Sequence, residues 1–322
     1  MPAFLAIVFL LTVVTQLSAA PLETIVEAPG PKGALKGTML TPDGVGAPVV
    51  VIIPGSGPTD RDGNSPLGIK AFTYKLLAQG LAEKGIATAR IDKRGMFGSV
   101  GAIPDANAVT VDDYAVDIQN WATALRKQTG ARCVWLLGHS EGGLVALVAS
   151  RSSSDICGLI LIATPGRSIG DVLREQLKAN PANAPLLDQA LSAIDALAAG
   201  HHVDVSMMHP ALMPLFRREV QDFLISEIAL DPAELIKSWQ KPVLVLQGER
   251  DLQVGVVDAE RLGRAAPNAK LVLLPDTNHV LKTVTSPARA ANLATYADPS
   301  LPLAAGVVDQ IASFIHRSAN IR

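Results

Sequence analysis

Ser140 stands in Gly138-His139-Ser140-Glu141-Gly142, a G-x-S-x-G segment with an apolar strand pattern, Cys133–Leu137, before it and an Ala/Val/Leu-rich helical pattern after it. In that context a sharp strand-to-helix turn projects the hydroxyl above a sheet. The nucleophile sits in a strained backbone conformation, and side chains two residues to either side would collide, hence Gly138 and Gly142. A serine hydroxyl is a weak nucleophile. It needs a base to take its proton and an acid to hold the base. The chain order expected for this turn is Ser, then Asp or Glu, then His. Asp251 follows the apolar run Val243–Gln247, and His279 follows the next run in Leu274-Pro275-Asp276-Thr277-Asn278-His279. Both fall in loops at the carboxyl ends of strands, the same edge as the turn. Glu249 and Asp276 are the rival acids; position and the Leu-Gln-Val continuation favour Asp251. Among the other histidines, His139 lies inside the turn and is expected to point away from Ser140, and His316 falls on a closing helix. His201, His202 and His209, with Asp204, match no strong metal-ligand spacing, so no metal and no organic cofactor are expected.

Acyl chemistry also needs donors for a developing oxyanion. The strand pattern Val49–Ile53 ends in the glycine-rich stretch Pro54-Gly55-Ser56-Gly57-Pro58-Thr59-Asp60-Arg61-Asp62-Gly63-Asn64. Such a loop lets backbone amides approach an alkoxide closely. The amides of Ser56 and Glu141 are the expected pair, with Gly57 the alternative to Ser56. The amino end of the helix after Ser140 adds a favourable potential for an anion. Asp60, Arg61 and Asp62 are expected to form a buried ion-pair lattice that shapes the loop.

These residues need a scaffold, and the chain supplies one. Strand candidates are Thr24–Glu27, Ala34–Leu40, Val49–Ile53, Ile86–Ile91, Cys133–Leu137, Leu159–Ala163, Val243–Gln247 and Lys270–Leu274. Tyr74, Leu77 and Leu81 make one helical stripe; Tyr114, Ile118, Trp121 and Leu125 make another; Ile311, Phe314 and Ile315 mark the closing helix. Near-continuous apolar strands joined by helices predict an α/β fold with a parallel sheet covered on both faces. The first two candidates, separated only by Pro29–Gly33, predict an antiparallel hairpin at one edge. Between 165 and 240 the pattern is helical without a strand, with Leu187, Leu191, Ile194 and Leu197 on one face and Leu224 and Ile228 on another. A segment this long is no simple connection. It reads as a helical cap inserted over one end of the sheet.

Composition narrows the function classes. Of 322 residues, 48% are hydrophobic and 18% charged, enough for a large core. With 28 basic and 30 acidic side chains the formal net charge is -2, which gives no reason to expect nucleic acid or an anionic membrane as partner. Cys133 and Cys157 start two strands expected to be parallel neighbours; two buried thiols are the expected state, with a disulfide the alternative if their Cα atoms lie within about 7 Å. Residues 1–20 read as a cleaved export signal: an uncharged apolar run Phe4–Val14, then the small residues Ser18, Ala19 and Ala20, although the amino end has no Lys or Arg. Nothing else is long and apolar enough to span a bilayer, so the mature chain 21–322 is expected as one α/β domain, with the cap at 165–240 inserted within it, and without stable membrane insertion. Its oligomeric state is not legible.

The stretches Gly55–Asn64, Gly138–Gly143, Gly248–Val254 and Asn278–Lys282 together resemble the α/β-hydrolase superfamily, in its bacterial serine esterase branch close to serine aminopeptidase-like and dienelactone-hydrolase-like members. The resemblance covers roughly residues 35–318. It implies an eight-stranded, mostly parallel sheet, a helical cap, and Ser140, Asp251 and His279 as catalytic triad. Asp92-Lys93-Arg94-Gly95 resembles the family's loop after the fourth strand, with a structural role. Many relatives carry His-Gly where this chain has Pro54-Gly55, and dienelactone hydrolases proper use Cys where it has Ser140. The expectation is an exported serine carboxylesterase acting on small to medium acyl esters, a small-molecule substrate. An acyltransferase or a serine aminopeptidase with the same triad is the alternative; the latter would want an acidic group in the cap, for which Glu219, Asp222 and Glu227 are candidates. A non-catalytic binding protein on the same scaffold is a third class, disfavoured because all three triad residues are present.

Overall fold

The computed structural model describes residues 21–319 except 45 and 153. The export-signal reading of residues 1–20 lies outside the described residues.

The strands are β1 (Leu22–Pro29), β2 (Ala34–Thr41), β3 (Val49–Ile53), the short ribbon β4 (Asn64–Ser65) and β5 (Ile69–Lys70), β6 (Ala87–Ile91), β7 (Val134–His139), β8 (Ile156–Ile162), β9 (Val243–Gly248) and β10 (Ala269–Leu274). Eight of them form one sheet in the order β1-β2-β6-β3-β7-β8-β9-β10. β1 pairs antiparallel with β2, and β2 antiparallel with β6; every pairing from β6 to β10 is parallel. The hairpin at one edge and the mostly parallel sheet are those expected from the sequence. The β4–β5 ribbon is not, because two-residue strands leave no periodic signal.

β3, β6, β7 and β8 are buried at every residue, as befits strands covered on both faces. One layer is built by α2 (Val111–Thr129) and α3 (Glu141–Ser150), the other by α1 (Thr73–Glu83) and α11 (Val307–Ala319). α2 begins at a capping box, in which Thr110 and Asp113 cap each other reciprocally, and Gly130 ends the helix at φ 71°. Such a capping box contributes about 1 kcal/mol.

The segment between β8 and β9 folds as α4 (Ile169–Ala179), α5 (Leu187–Ala198), α6 (Met213–Phe216), α7 (Arg218–Ile228) and α8 (Pro232–Ile236) with 3₁₀ turns between them, and it contains no strand among the described residues. It has its own apolar cluster, centred on Ile194, Leu197, Phe216, Leu224 and Ile228. α5 buries Ala190 and Ala193 beside Ile194 and Leu197, so its inner face is set by small residues as much as by leucines. α9 (Val256–Ala265) and α10 (Arg289–Ala294) are the remaining α-helices among the described residues.

The expectation of two free thiols is wrong. Cys133 and Cys157 form a disulfide, with Cα atoms 5.2 Å apart. The cause is register: Val134 pairs with Ile156 at the start of β7 and β8, which sets the two cysteines side by side. Strand patterns predict the two strands as neighbours but do not show their register.

Candidate active site

Ser140 lies between the end of β7 and the first residue of α3, at φ 55° and ψ -124°. A non-glycine residue there is strained, and such strain persists only where its surroundings enforce it. The two glycines are what let them do so. A Cβ on Gly138 would sit 2.3 Å from the Gly142 carbonyl oxygen, and one on Gly142 would sit 2.3 Å from that of Ile53. Ser140 itself is half-buried. Glu141 opens α3, so its amide is one of the helix's first-turn donors without an intrahelical partner.

Asp251 and His279 come from the loops after β9 and β10. His279 Nδ1 lies 2.8 Å from Asp251 Oδ2. A carboxylate only accepts, so Nδ1 carries the proton and Nε2 is left as the basic nitrogen. Oδ1 of Asp251 accepts from the amides of Gln253 (2.7 Å) and Val254 (3.0 Å), and Oδ2 also accepts from Gln247 Nε2 at 3.2 Å. Burial alone would raise the Asp251 carboxyl; the His279 charge, the bond to it and the two amides outweigh burial and hold it below its ordinary value. The rival acids are elsewhere: Glu249 is exposed, and Asp276 pairs with Arg250 at the surface at 3.3 Å.

His139 has a definite task that the sequence reading missed. Its Nε2 lies 2.8 Å from the His279 carbonyl oxygen, which can only accept. The proton is therefore on Nε2, and Nδ1 accepts from the Tyr74 hydroxyl at 3.0 Å. Tyr74 Oη in turn accepts from the Gly55 amide at 3.0 Å. The chain Gly55–Tyr74–His139–His279 thus ties the glycine-rich loop to the backbone of His279. Burial, reinforced by the neighbouring His279, pushes His139 down to about 3, which keeps it neutral and keeps this donor pattern fixed. The rings of His139 and His279 also pack with centroids 4.8 Å apart. Tyr74 read as a plain core residue because periodicity reports its ring and not its hydroxyl.

The loop after β3 is held by charge, but not by the expected buried lattice of Asp60, Arg61 and Asp62: all three are half-buried, Arg61 and Asp62 pair with residues outside the loop, and Asp60 accepts from loop amides. Arg61 donates from its amide and Nε to Asp92, each at 2.9 Å, and from Nη1 to Thr38 Oγ1 at 2.9 Å. Arg90 pairs with Asp62 and Glu23. Asp60 Oδ1 accepts from the amides of Asp62 (2.9 Å) and Asn64 (2.8 Å). In the loop after β6, Arg94 grips both carboxylate oxygens of Asp117 at 2.7 Å. Ser56, the expected oxyanion donor, is exposed at the edge of the loop, as is Gly57.

Three buried ionisable groups meet beside the turn. Lys93 lies 3.4 Å from Glu141, and Glu227 on α7 is buried next to both. Burial, then the Glu141 charge, push the Glu227 carboxyl well above the carboxylate range, with Lys93 opposing only in part. A folded-state value above the unfolded one means that the folded protein binds the extra proton, so stability falls as pH rises from about the ordinary value of 4.5. Glu227→Gln, which mimics the protonated form, is therefore expected to match the parent's melting temperature near pH 4 and to exceed it increasingly toward pH 8. Equal melting temperatures across that range would refute the assignment.

Among the cap carboxyls named from the sequence, Glu219 and Asp222 are exposed, Asp222 pairing with His202 Nε2 at 2.7 Å. His201 and His209 are exposed as well. Among the described residues no cluster of His, Cys, Asp and Glu could hold a metal ion, and no helix is long and apolar enough to cross a membrane.

Comparison with known proteins places this geometry in a family. Esterase EstD from Thermotoga maritima is 29% identical over 263 residues, covering 77% of this chain; the chain spans 58% of that relative's length. Est1E from Butyrivibrio proteoclasticus, solved with ferulic acid bound, superposes with a TM-score of 0.59 at 17% identity, over 92% of this chain and 99% of that one. Proline iminopeptidase from Mycobacterium smegmatis does so with a TM-score of 0.57 at 16% identity, again over 92% and 99%. At those identities the solved structures share the fold alone. The sequence model of the alpha/beta hydrolase family matches residues 50–293, most of the chain and a span that includes Ser140, Asp251 and His279, and this chain belongs to that family.

Proposed function

We propose that the protein is an exported serine carboxylesterase acting on esters of small to medium acyl groups. The observation that carries the reading is the Asp251–His279 pair at 2.8 Å, formed by loops that end neighbouring parallel strands on the edge where β7 presents Ser140. The esterase name of the Thermotoga relative supports the ester specificity.

In this mechanism Ser140 Oγ attacks the ester carbonyl carbon while its proton passes to His279 Nε2. Asp251 fixes the imidazole tautomer and stabilises the imidazolium. The amides of Ser56 and Glu141 hold the tetrahedral oxyanion. His279 returns the proton to the leaving alcohol as the C–O bond breaks, and the acyl group remains on Ser140. Water, deprotonated by the same nitrogen, attacks the acyl-enzyme; the acid leaves and Ser140 regains its proton.

The cap argues against an aminopeptidase. An anchor for a substrate ammonium should be charged and face the site; Glu219 and Asp222 are exposed, and Glu227 is buried with its carboxyl raised by burial and by the Glu141 charge, which disfavours its charged form. Export is supported by the apolar run at residues 4–14 and by the Cys133–Cys157 disulfide, since disulfides persist in oxidising compartments. An exported enzyme would not meet coenzyme A, which disfavours acyl transfer from that carrier.

A panel of p-nitrophenyl esters of rising acyl length, run beside aminoacyl p-nitroanilides, tests the reading. Turnover of the short and medium esters with none of the anilides is expected. Turnover of the anilides alone would replace esterase by aminopeptidase.

A further inference from the structure

Three consecutive peptide units of the glycine-rich loop are each held by one contact. The Gly55 amide donates to Tyr74 Oη at 3.0 Å, Lys93 Nζ donates to the Gly55 carbonyl at 2.7 Å, and Thr59 Oγ1 donates to the Ser56 carbonyl at 3.0 Å. Only the middle contact is charged. It falls on the peptide whose other end is the Ser56 N–H. A peptide is planar and, here, trans, so its C=O and N–H point in opposite directions, and fixing one fixes the other. We propose that Lys93 is a positioning residue of the oxyanion hole, orienting and polarising the Gly55–Ser56 peptide so that the Ser56 N–H is a fixed, strong donor. The proposal rests on the reading of Ser56 as an oxyanion donor.

The surroundings of Lys93 favour such a task over a merely structural one. A buried ammonium is costly unless it is paired and hydrogen-bonded. Lys93 is 7% exposed and receives its balancing charge from Glu141, whose own amide is the second oxyanion donor. One side chain therefore links both donor residues: Ser56 through the Gly55 carbonyl, Glu141 through its carboxylate. The ring of Tyr114 lies below the ammonium at 5.5 Å. On either side in the chain, Asp92 and Arg94 are held by Arg61 and Asp117, so the backbone that carries Lys93 is fixed as well. The loop approaches the nucleophile directly: a Cβ on Gly55 would lie 3.2 Å from Ser140 Cβ. Charge-assisted hydrogen bonds are roughly twice as strong as neutral ones, and a bond to a peptide carbonyl polarises the N–H of the same unit. Because Glu141 neutralises the ammonium at close range, its influence at the oxyanion runs through this peptide more than through a bare field.

A double-mutant cycle with Ser56→Pro tests this, read with p-nitrophenyl butyrate and with a trifluoromethyl ketone that forms a tetrahedral adduct on a serine nucleophile. Ser56→Pro removes the N–H and is expected to lose about 10²–10³-fold in kcat, the effect of one missing donor. Lys93→Met keeps the stem and removes charge and donor. It is expected to lower kcat by about 10–100-fold, a part of that donor's effect, with KM within about threefold and ketone inhibition weakened in step with kcat. Lys93→Arg, which keeps a cationic donor, should recover part of the loss. In the Ser56→Pro background Lys93→Met should cost nothing more. Losses that multiply in the double variant, or a folded Lys93→Met with the parent's kcat, would overturn the proposal. Ser56→Pro retaining full activity would instead remove the donor reading beneath it. Should Lys93→Met fail to fold with Glu141 left unpaired, Lys93→Met/Glu141→Gln carries the same comparison in a charge-balanced core.

Discussion

Ser140→Ala is expected to lower kcat by about 10⁵–10⁶-fold, the range seen when the nucleophile of a serine triad is removed. Nothing else in the site can replace the lost oxygen: the turn places this one side chain at the start of α3, and Asp251 and His279 supply an acid and a base but no nucleophile held in place. The fold should survive. Alanine keeps the Cβ that already tolerates φ 55°, and the turn is enforced by Gly138, Gly142 and the backbone bond from Gly143 to the Ser140 carbonyl, none of which uses the hydroxyl. Circular dichroism and the melting temperature should match the parent. A fluorophosphonate should label the parent at Ser140 and leave Ser140→Ala unlabelled. Persistent labelling of that variant would place the nucleophile elsewhere.

What the sequence makes legible follows from where the information resides. The central strands β3, β7, β8 and β9 are readable because each is an apolar run, and burial on both faces removes the need for alternation, whereas the edge strand β1 keeps alternate residues exposed. The turn around Ser140 is readable because its steric demand is local: two glycines four residues apart, each facing backbone that a Cβ would strike. Asp251 and His279 are readable from chain order and from their place after strands. The contacts that span the fold are not. His139 and His279 are 140 residues apart, and the bond between them depends on how β7 and the loop after β10 are laid side by side. Lys93 and Glu227 look like a loop cation and a solvated helix face; burial by tertiary packing turns them into members of one charge cluster with Glu141. The disulfide depends on strand register, which pattern alone does not encode. Local sterics and periodicity are written in the residues themselves, whereas hydrogen-bond destinations and proton positions arise only when distant elements meet.

Asp251→Asn is expected to lower kcat by about 10⁴-fold, through the tautomer and not through loss of structure. The hydrogen bonds around the carboxylate decide which way an asparagine must sit. The position of Oδ1 faces two backbone amides, those of Gln253 and Val254, and only an acceptor satisfies them. The asparagine oxygen therefore takes that place, and its NH₂ takes the place of Oδ2, 2.8 Å from His279 Nδ1. There it is a donor facing a nitrogen that carried a proton, so the imidazole responds by moving its proton to Nε2. The nitrogen that should accept from Ser140 is then blocked. The amide would also meet Gln247 Nε2, another donor, which disfavours the arrangement further but leaves the loop intact. Because the carboxylate's charge is lost as well, an imidazolium formed during attack has no counter-charge. Asp276→Asn and Glu249→Gln provide the comparison: Asp276 is engaged with Arg250 at the surface and Glu249 is exposed, so each should change kcat by less than about tenfold. Melting temperatures within a few degrees of the parent would assign the Asp251→Asn loss to chemistry. If Asp276→Asn proved as damaging as Asp251→Asn, the acid of the triad would have to be reassigned, and with it the tautomer of His279.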